Sequence, residues 1–130
     1  MTHLLVVAHG SRQDSSNIEI RELVARLRKN CSLFVGIDYA FLEIAKPSIK
    51  DALRQQIANG AIDIVVLPYF LSAGRHVLTD IPEQIRQVSV EAPSIKIKIA
   101  PYLGASEKID DLLIHLVFSS YYWMVNILFF

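Results

Sequence analysis

The chain is 130 residues long, and its 13 Lys and Arg are balanced by 13 Asp and Glu, so the formal net charge is zero at pH 7. That length is enough for one domain with its own core, and the balanced charge excludes an overall field that would draw the chain to nucleic acid. One cysteine, Cys31, excludes an intrachain disulfide, no cysteine motif surrounds it, and no basic region precedes the first apolar run. A reducing, cytoplasmic setting is the expectation.

Taken in chain order, Leu4-Leu5-Val6-Val7-Ala8 predicts a strand buried on both faces, and His9-Gly10-Ser11-Arg12 follows it. Ile20, Leu23, Val24 and Leu27 fall at i, i+3, i+4 and i+7, the stripe of a helix ending near Lys29. Leu33 to Leu42 alternates, with Val35, Ile37, Tyr39 and Phe41 on one side and Gly36 and Asp38 on the other. This predicts a strand with one less buried face, ending at Glu43. Either Pro47 then opens the next helix or Ser48 caps it in a box with Asp51. Ile49, Ala52, Leu53 and Ile57 form that helix's stripe, and Asn59-Gly60 stops it.

Ile62 to Leu67, interrupted only by Asp63, predicts a second strand buried on both faces. It passes through Pro68-Tyr69-Phe70-Leu71-Ser72-Ala73 to Gly74-Arg75-His76. Asp80-Ile81-Pro82-Glu83 predicts an acidic N-cap, with Ile81, Ile85 and Val88 continuing the helix and Pro93 closing the segment. Ile95-Lys96-Ile97-Lys98-Ile99 alternates strictly, as an edge strand with a wet, positive face does. Ile109, Leu112, Leu113, Leu116 and Val117 then predict a final helix whose stripe covers the sheet.

The β-α-β-α-β-α-β-α order argues for a single three-layer α/β domain, a parallel four-stranded sheet with helices on both faces. The two wholly apolar strands belong in the centre and the two alternating ones at the edges, which gives the order 2-1-3-4. The chain then reverses direction between strands 1 and 3, the place where such sheets bind ligands. His9 and His76 follow those two strands.

Imidazoles at the ends of neighbouring strands, about 4.8 Å apart, can reach one ion or substrate. Glu43, past the end of strand 2, adds a carboxylate, so His9, Glu43 and His76 form a set suited to a divalent metal with open positions. The same imidazoles can take up protons near neutrality. Arg12 and Arg75 are suited to clamping carboxylates or phosphates, with Ser11 as a hydrogen-bond donor. Gly10 and Gly74 allow tight turns or close backbone approach. The competing structural reading has the imidazoles bonded to nearby backbone and the arginines solvated. His3 and His115 read most simply as structural. Neither GxGxxG nor a Walker lysine motif occurs, so no nucleotide cofactor is expected.

These residues resemble the small, single-domain sirohydrochlorin chelatases of the CbiX type, a cobalto- or ferrochelatase family of tetrapyrrole biosynthesis. The resemblance rests on Val7-Ala8-His9-Gly10-Ser11-Arg12, on Ala40-Phe41-Leu42-Glu43 with Pro47-Ser48, and on Leu67 to Leu71 leading to Gly74-Arg75-His76. Asp80-Ile81-Pro82 and Ala100-Pro101-Tyr102-Leu103-Gly104 fit as well, and the likeness covers residues 2 to 117. It implies a chelatase-like fold and ATP-independent insertion of a divalent metal into a carboxylate-rich macrocycle, with His9 and His76 central. The metal is then a substrate, Co2+ or Fe2+ with Ni2+ as a third candidate, and short members pair as homodimers. Two other readings use the same residues: phosphoryl transfer with His9 as nucleophile and Arg12 and Arg75 on phosphate, or a metal-binding module without turnover.

The end of the chain departs from that resemblance. From Leu112 to Phe130 there is no Asp, Glu, Lys or Arg, and residues 118–130 read as an apolar tail attached to a domain of residues 1–117. Phe118 to Phe130 is too short to cross a bilayer as a helix at about 1.5 Å per residue. Burial against its own domain or a partner subunit is expected, rather than membrane insertion.

Overall fold

Strand β1 (His3–Ala8) lies between β2 (Gly36–Phe41) and β3 (Asp63–Pro68), and β4 (Lys96–Ile99) completes a parallel sheet ordered β2-β1-β3-β4. This is a computed structural model, which describes residues 2–129 without the side chains of His76 and residues 121–129. The observed strand order is the expected one, and for the expected reason. All six residues of β1 are buried, so only a central position can cover it.

Helices α2 (Ile49–Ala58) and α3 (Ile81–Glu91) cover one face of the sheet, where Leu5, Val7, Ala40, Ile64 and Val66 pack on Ile49, Leu53, Ile81, Ile85 and Val88. Helix α1 (Asp14–Asn30) covers the other face, with Val24 and Leu27 against Leu4, Val6 and Ile37. Ser48 is the N-cap of α2, its hydroxyl accepting from Asp51 N at 3.1 Å. Arg54 reaches from α2 to Glu91 on α3 with bonds of 3.0 and 2.7 Å, a hydrogen-bonded pair that lowers the Glu91 carboxyl below its ordinary range. The tie is therefore present above the ordinary glutamate range and is lost as pH falls through the lowered value. The free edge of β2 is closed in part by Arg28, whose Nε donates to Ile37 O at 2.6 Å, and by Pro47 O, which accepts from Phe41 N at 2.9 Å.

Four expectations need correction. Strand β2 begins at Gly36 rather than Leu33, because its partner β1 begins at His3, and Leu33 and Val35 are left exposed. Asp80 is not an N-cap: the chain is already helical from a π turn at His76–Asp80, and Asp80 has helical φ and ψ of −72° and −40° with no capping bond. Strand β3 is not buried on both faces, since Ile64 and Val66 are fully covered while Val65 and Leu67 stay partly open on the α1 side.

The fourth correction concerns the last helix. Helix α4 (Ile109–Phe129) does not lie on the sheet; its main neighbour is the 3-10 turn Leu103–Ala105. Leu112, Leu113, Ile114, Leu116, Val117 and Phe118 are 46–68% exposed. The helix also continues without a break through Val117. Among the described residues, no helix is long and apolar enough to cross a membrane.

Two glycines separate close packing from open space. A Cβ on Gly104 would run into the Leu71 carbonyl oxygen, whereas one on Gly74 would meet nothing within 4 Å. Gly104→Ala should therefore cost about 1–3 kcal/mol of stability, and Gly74→Ala should stay within about 0.5 kcal/mol. Urea denaturation of the two variants beside the parent protein measures both.

Candidate active site

The carboxyl ends of β1, β2 and β3 open on one side of the sheet, and hydrogen bonding continues past the strands. Leu42 N donates to Ala8 O at 2.9 Å, Glu43 N to His9 O at 3.1 Å, and Tyr69 N to Val7 O at 2.7 Å. This extended register brings two of the expected residues together: His9 Nε2 lies 2.8 Å from Glu43 Oε1. Both side chains are about half exposed, at 45% and 50%, so the pair faces a ligand or solvent rather than the core. The ring of Phe70 meets His9 edge-on, at 6.3 Å between centroids and 71° between planes, which limits the imidazole's rotation.

Backbone geometry explains Gly10. Its φ is +95°, and any Cβ there would collide with the Glu43 carbonyl oxygen, so glycine is needed for conformation and for space alike. Beyond it the loop is held by Asn17, whose Oδ1 accepts from Ser11 N at 2.9 Å while its Nδ2 donates to Ser11 O at 2.8 Å. Ser11 Oγ accepts from Gln13 N at 3.1 Å, a turn-closing bond within the same loop.

His76 opens the π turn, where Val77 N and Leu78 N both donate to Gly74 O at 3.2 Å; its side chain lies outside the described residues. Gly74 has ordinary φ and open space, so neither a tight turn nor a close approach requires it. Arg12 and Arg75 are exposed and make no ion pair among the described residues. Those residues also contain no group of three or more His, Cys, Asp or Glu placed to hold a metal, and the His9–Glu43 pair is the described part of the expected set.

Two hollows flank the pair. One of about 240 Å³ is lined by His9, Gly10, Ser11, Asn17, Ile20 and Phe41. The other, about 250 Å³, is lined by Leu42, Glu43, Asp80, Glu83 and Gln84, and a hydrogen bond from Arg86 lowers the Glu83 carboxyl below its ordinary range. A larger hollow of about 500 Å³, lined by His3, Cys31 and Asp38 among others, sits at the opposite ends of the strands, away from this chemistry. Around the candidate site the loops expose apolar side chains: Ile44 at 58%, Leu71 at 70% and Leu78 at 67%. Ile44 does so with φ of +71°, an uncommon conformation for a β-branched residue.

Asn17 and the apolar rim escape a reading of motifs. Asn17 had a legible signal: it lies three residues before Ile20 on the core-facing stripe of α1, where a polar residue needs a partner. The rim had none, because single exposed apolar residues in loops are ordinary.

An open parallel α/β sheet that brings an imidazole and a carboxylate together beside its reversal point has the layout of a ligand-binding α/β fold. The CbiX family model matches residues 3–120. The chloroplastic sirohydrochlorin ferrochelatase of Arabidopsis thaliana is 35% identical over 108 residues, 83% of this chain and 48% of that protein. The sirohydrochlorin cobaltochelatase of Sulfolobus acidocaldarius is 34% identical over 113 residues, 87% of each chain. Among solved structures, the sirohydrochlorin chelatase SirB from Bacillus subtilis subspecies spizizenii in complex with cobalt superposes with a TM-score of 0.80 at 28% identity. That match covers 88% of this chain and 48% of SirB. The chain belongs to the CbiX family. It spans about half the length of the plant enzyme and of SirB, and most of the archaeal one.

Asn17→Ala removes both bonds to Ser11 and should speed hydrogen exchange at the Ser11 amide about tenfold or more, since a lost bond of about 1.4 kcal/mol is a factor of ten. Amides of β1 and β3 should stay as protected as before. Exchange followed by NMR or mass spectrometry reads both.

Proposed function

We propose that this chain inserts a divalent metal, cobalt or iron, into sirohydrochlorin or a related tetrapyrrole, without a nucleotide or organic cofactor. The observation that carries the reading is the 2.8 Å pairing of His9 with Glu43 beside the reversal point of the sheet. The names of the plant and archaeal relatives, and the cobalt in the SirB complex, support the choice of metal and macrocycle. Nickel suits the same ligands and is the third candidate.

The proposed chemistry follows from the side chains. A divalent cation that replaces the proton between His9 Nε2 and Glu43 Oε1 is held by nitrogen and oxygen together, with His76 as the further ligand. Ring nitrogens of the macrocycle then displace these ligands one at a time, and two pyrrole protons leave as the metal enters. Glu43 and the freed imidazole are the acceptors within reach. Arg12 and Arg75, exposed beside the site, are suited to bind the carboxylates of the macrocycle, with the Ser11 hydroxyl as a hydrogen-bond donor and Gly74 giving the loop open space for the ligand. The exposed Ile44, Leu71 and Leu78 offer apolar surface to the ring.

The reading includes a homodimer working in the cytoplasm. Hollows of about 240 and 250 Å³ are smaller than the roughly 300–1,000 Å³ of sites that enclose a drug-sized ligand. A second copy facing the same strand ends would enclose the macrocycle, which fits a match that covers about half of SirB.

The test is to incubate the purified protein with sirohydrochlorin and Co2+, Fe2+ or Ni2+ and to follow the absorption spectrum against a protein-free control. His9→Ala and His76→Ala should lose nearly all insertion while folding normally, and Glu43→Gln should lose less. Wild-type turnover in both histidine variants would falsify the site. Metal binding without turnover would favour a carrier module, and hydrolysis of a phosphoester by a His9-dependent route would favour phosphoryl transfer.

A further inference from the structure

Among the described residues, Ile44 is the single non-glycine residue with a positive φ, at +71°. Ala45 N donates to Glu43 O at 2.8 Å, which makes Glu43-Ile44-Ala45 a three-residue γ-turn. A central φ of about +75° belongs to the rare, strained form of that turn, and a β-branched side chain makes it costlier still. Strain of this kind persists only where the surroundings hold the backbone in place. They do so here on both sides of the turn. Glu43 N donates to His9 O at 3.1 Å, the Glu43 carbonyl lies against Gly10, and Phe41 N closes the loop by donating to Pro47 O at 2.9 Å.

Glycine would adopt the same turn without the steric cost, as Gly10 does with its φ of +95° on the other side of the Glu43 carbonyl. What isoleucine adds is a side chain. That side chain is 58% exposed, so core packing does not offset the strain. It stands one residue beyond the carboxylate that pairs with His9 at 2.8 Å. Leu71 and Leu78 are more exposed still, yet neither has a positive φ, so their apolar groups come without this backbone cost. A side chain retained against its own backbone, open to solvent and adjoining the candidate pair, fits a contact that only the ligand completes.

We propose that Ile44 is a specificity-determining residue for the macrocycle: its side chain seats the apolar face of the ring beside His9 and Glu43, and the strained turn is the stability given up for that contact. The inference rests on the chelatase reading and deepens it, assigning recognition of the ring to one apolar side chain and recognition of the metal to its neighbour. Metal and macrocycle then meet across a single peptide bond, between Glu43 and Ile44. Replacing the side chain should therefore separate the two bindings and move stability the opposite way.

Sirohydrochlorin binding is read by its absorption and fluorescence without metal, Co2+ binding by its visible absorption without macrocycle, and stability by urea denaturation without either. Ile44→Gly should weaken sirohydrochlorin about tenfold, the order of burying one isoleucine against the ring, and leave Co2+ affinity within about threefold. Its urea midpoint should rise, since the turn is relaxed. Ile44→Asn, polar but tolerant of positive φ, should repeat both changes, whereas Ile44→Val should keep the parental ring affinity and midpoint. Equal loss of Co2+ and sirohydrochlorin affinity in Ile44→Gly would mean that the residue acts through Glu43, and would overturn the ring contact. Unchanged sirohydrochlorin affinity in Ile44→Gly, with a parent that binds it, would overturn the contact and leave the chelatase reading intact. A urea midpoint below the parent's in both Ile44→Gly and Ile44→Asn would remove the strain and the proposal with it. A parent protein that binds no sirohydrochlorin would remove the chelatase reading and this contact together.

Discussion

The ladder between β1 and β2 does not stop where the strands stop, and the candidate site depends on that. Two further bonds, Leu42 N to Ala8 O and Glu43 N to His9 O, carry the pairing into the loops. Side chains that follow neighbouring strands are thereby held in register, which leaves His9 and Glu43 facing each other at 2.8 Å. The register survives only if the two backbones can approach, and Gly10 under the Glu43 carbonyl is what permits it. The core beneath and the pair above are products of the same hydrogen-bond pattern.

Supports around the pair come from elements that differ in kind. Asn17 is 5% exposed on the first turn of α1 and clamps both backbone groups of Ser11, so the loop after β1 is anchored to a helix. Phe70 belongs to the β3 loop, packs against the main core and limits the His9 ring. Each support uses a group that is buried or partly buried, while the pair itself stays half exposed. A pair held in this way keeps its geometry while staying open, which is what a preorganised site needs.

Strand order was legible because burial on both faces and alternation are opposite patterns, and β1 and β4 display them cleanly. The switch point and the nearness of His9 to the end of β2 followed from that order alone. Other features depended on information a pattern does not hold. The π turn at His76 is set by backbone hydrogen bonds to Gly74, and Asp80 looks like a cap only while the helix is assumed to start at Ile81. Burial on both faces is not visible for β3 in its sequence, because apolar residues do not announce how far a helix covers them, and Val65 and Leu67 are covered only in part. Gly10 and Gly74 are identical in sequence terms, yet one sits against a carbonyl and the other in open space.

The edges of the sheet govern how the molecule can grow. On one side the strand partner's place at β2 is taken by the Arg28 guanidinium and the Pro47 carbonyl. On the other, β4 is four residues long and carries two lysines. Neither border offers the long, uncharged row of open amides that templates a fifth strand. The protein can therefore leave a helix and part of a sheet face uncovered without inviting fibril-like stacking, because unlimited end-to-end extension is blocked and only finite, face-directed association remains open to it.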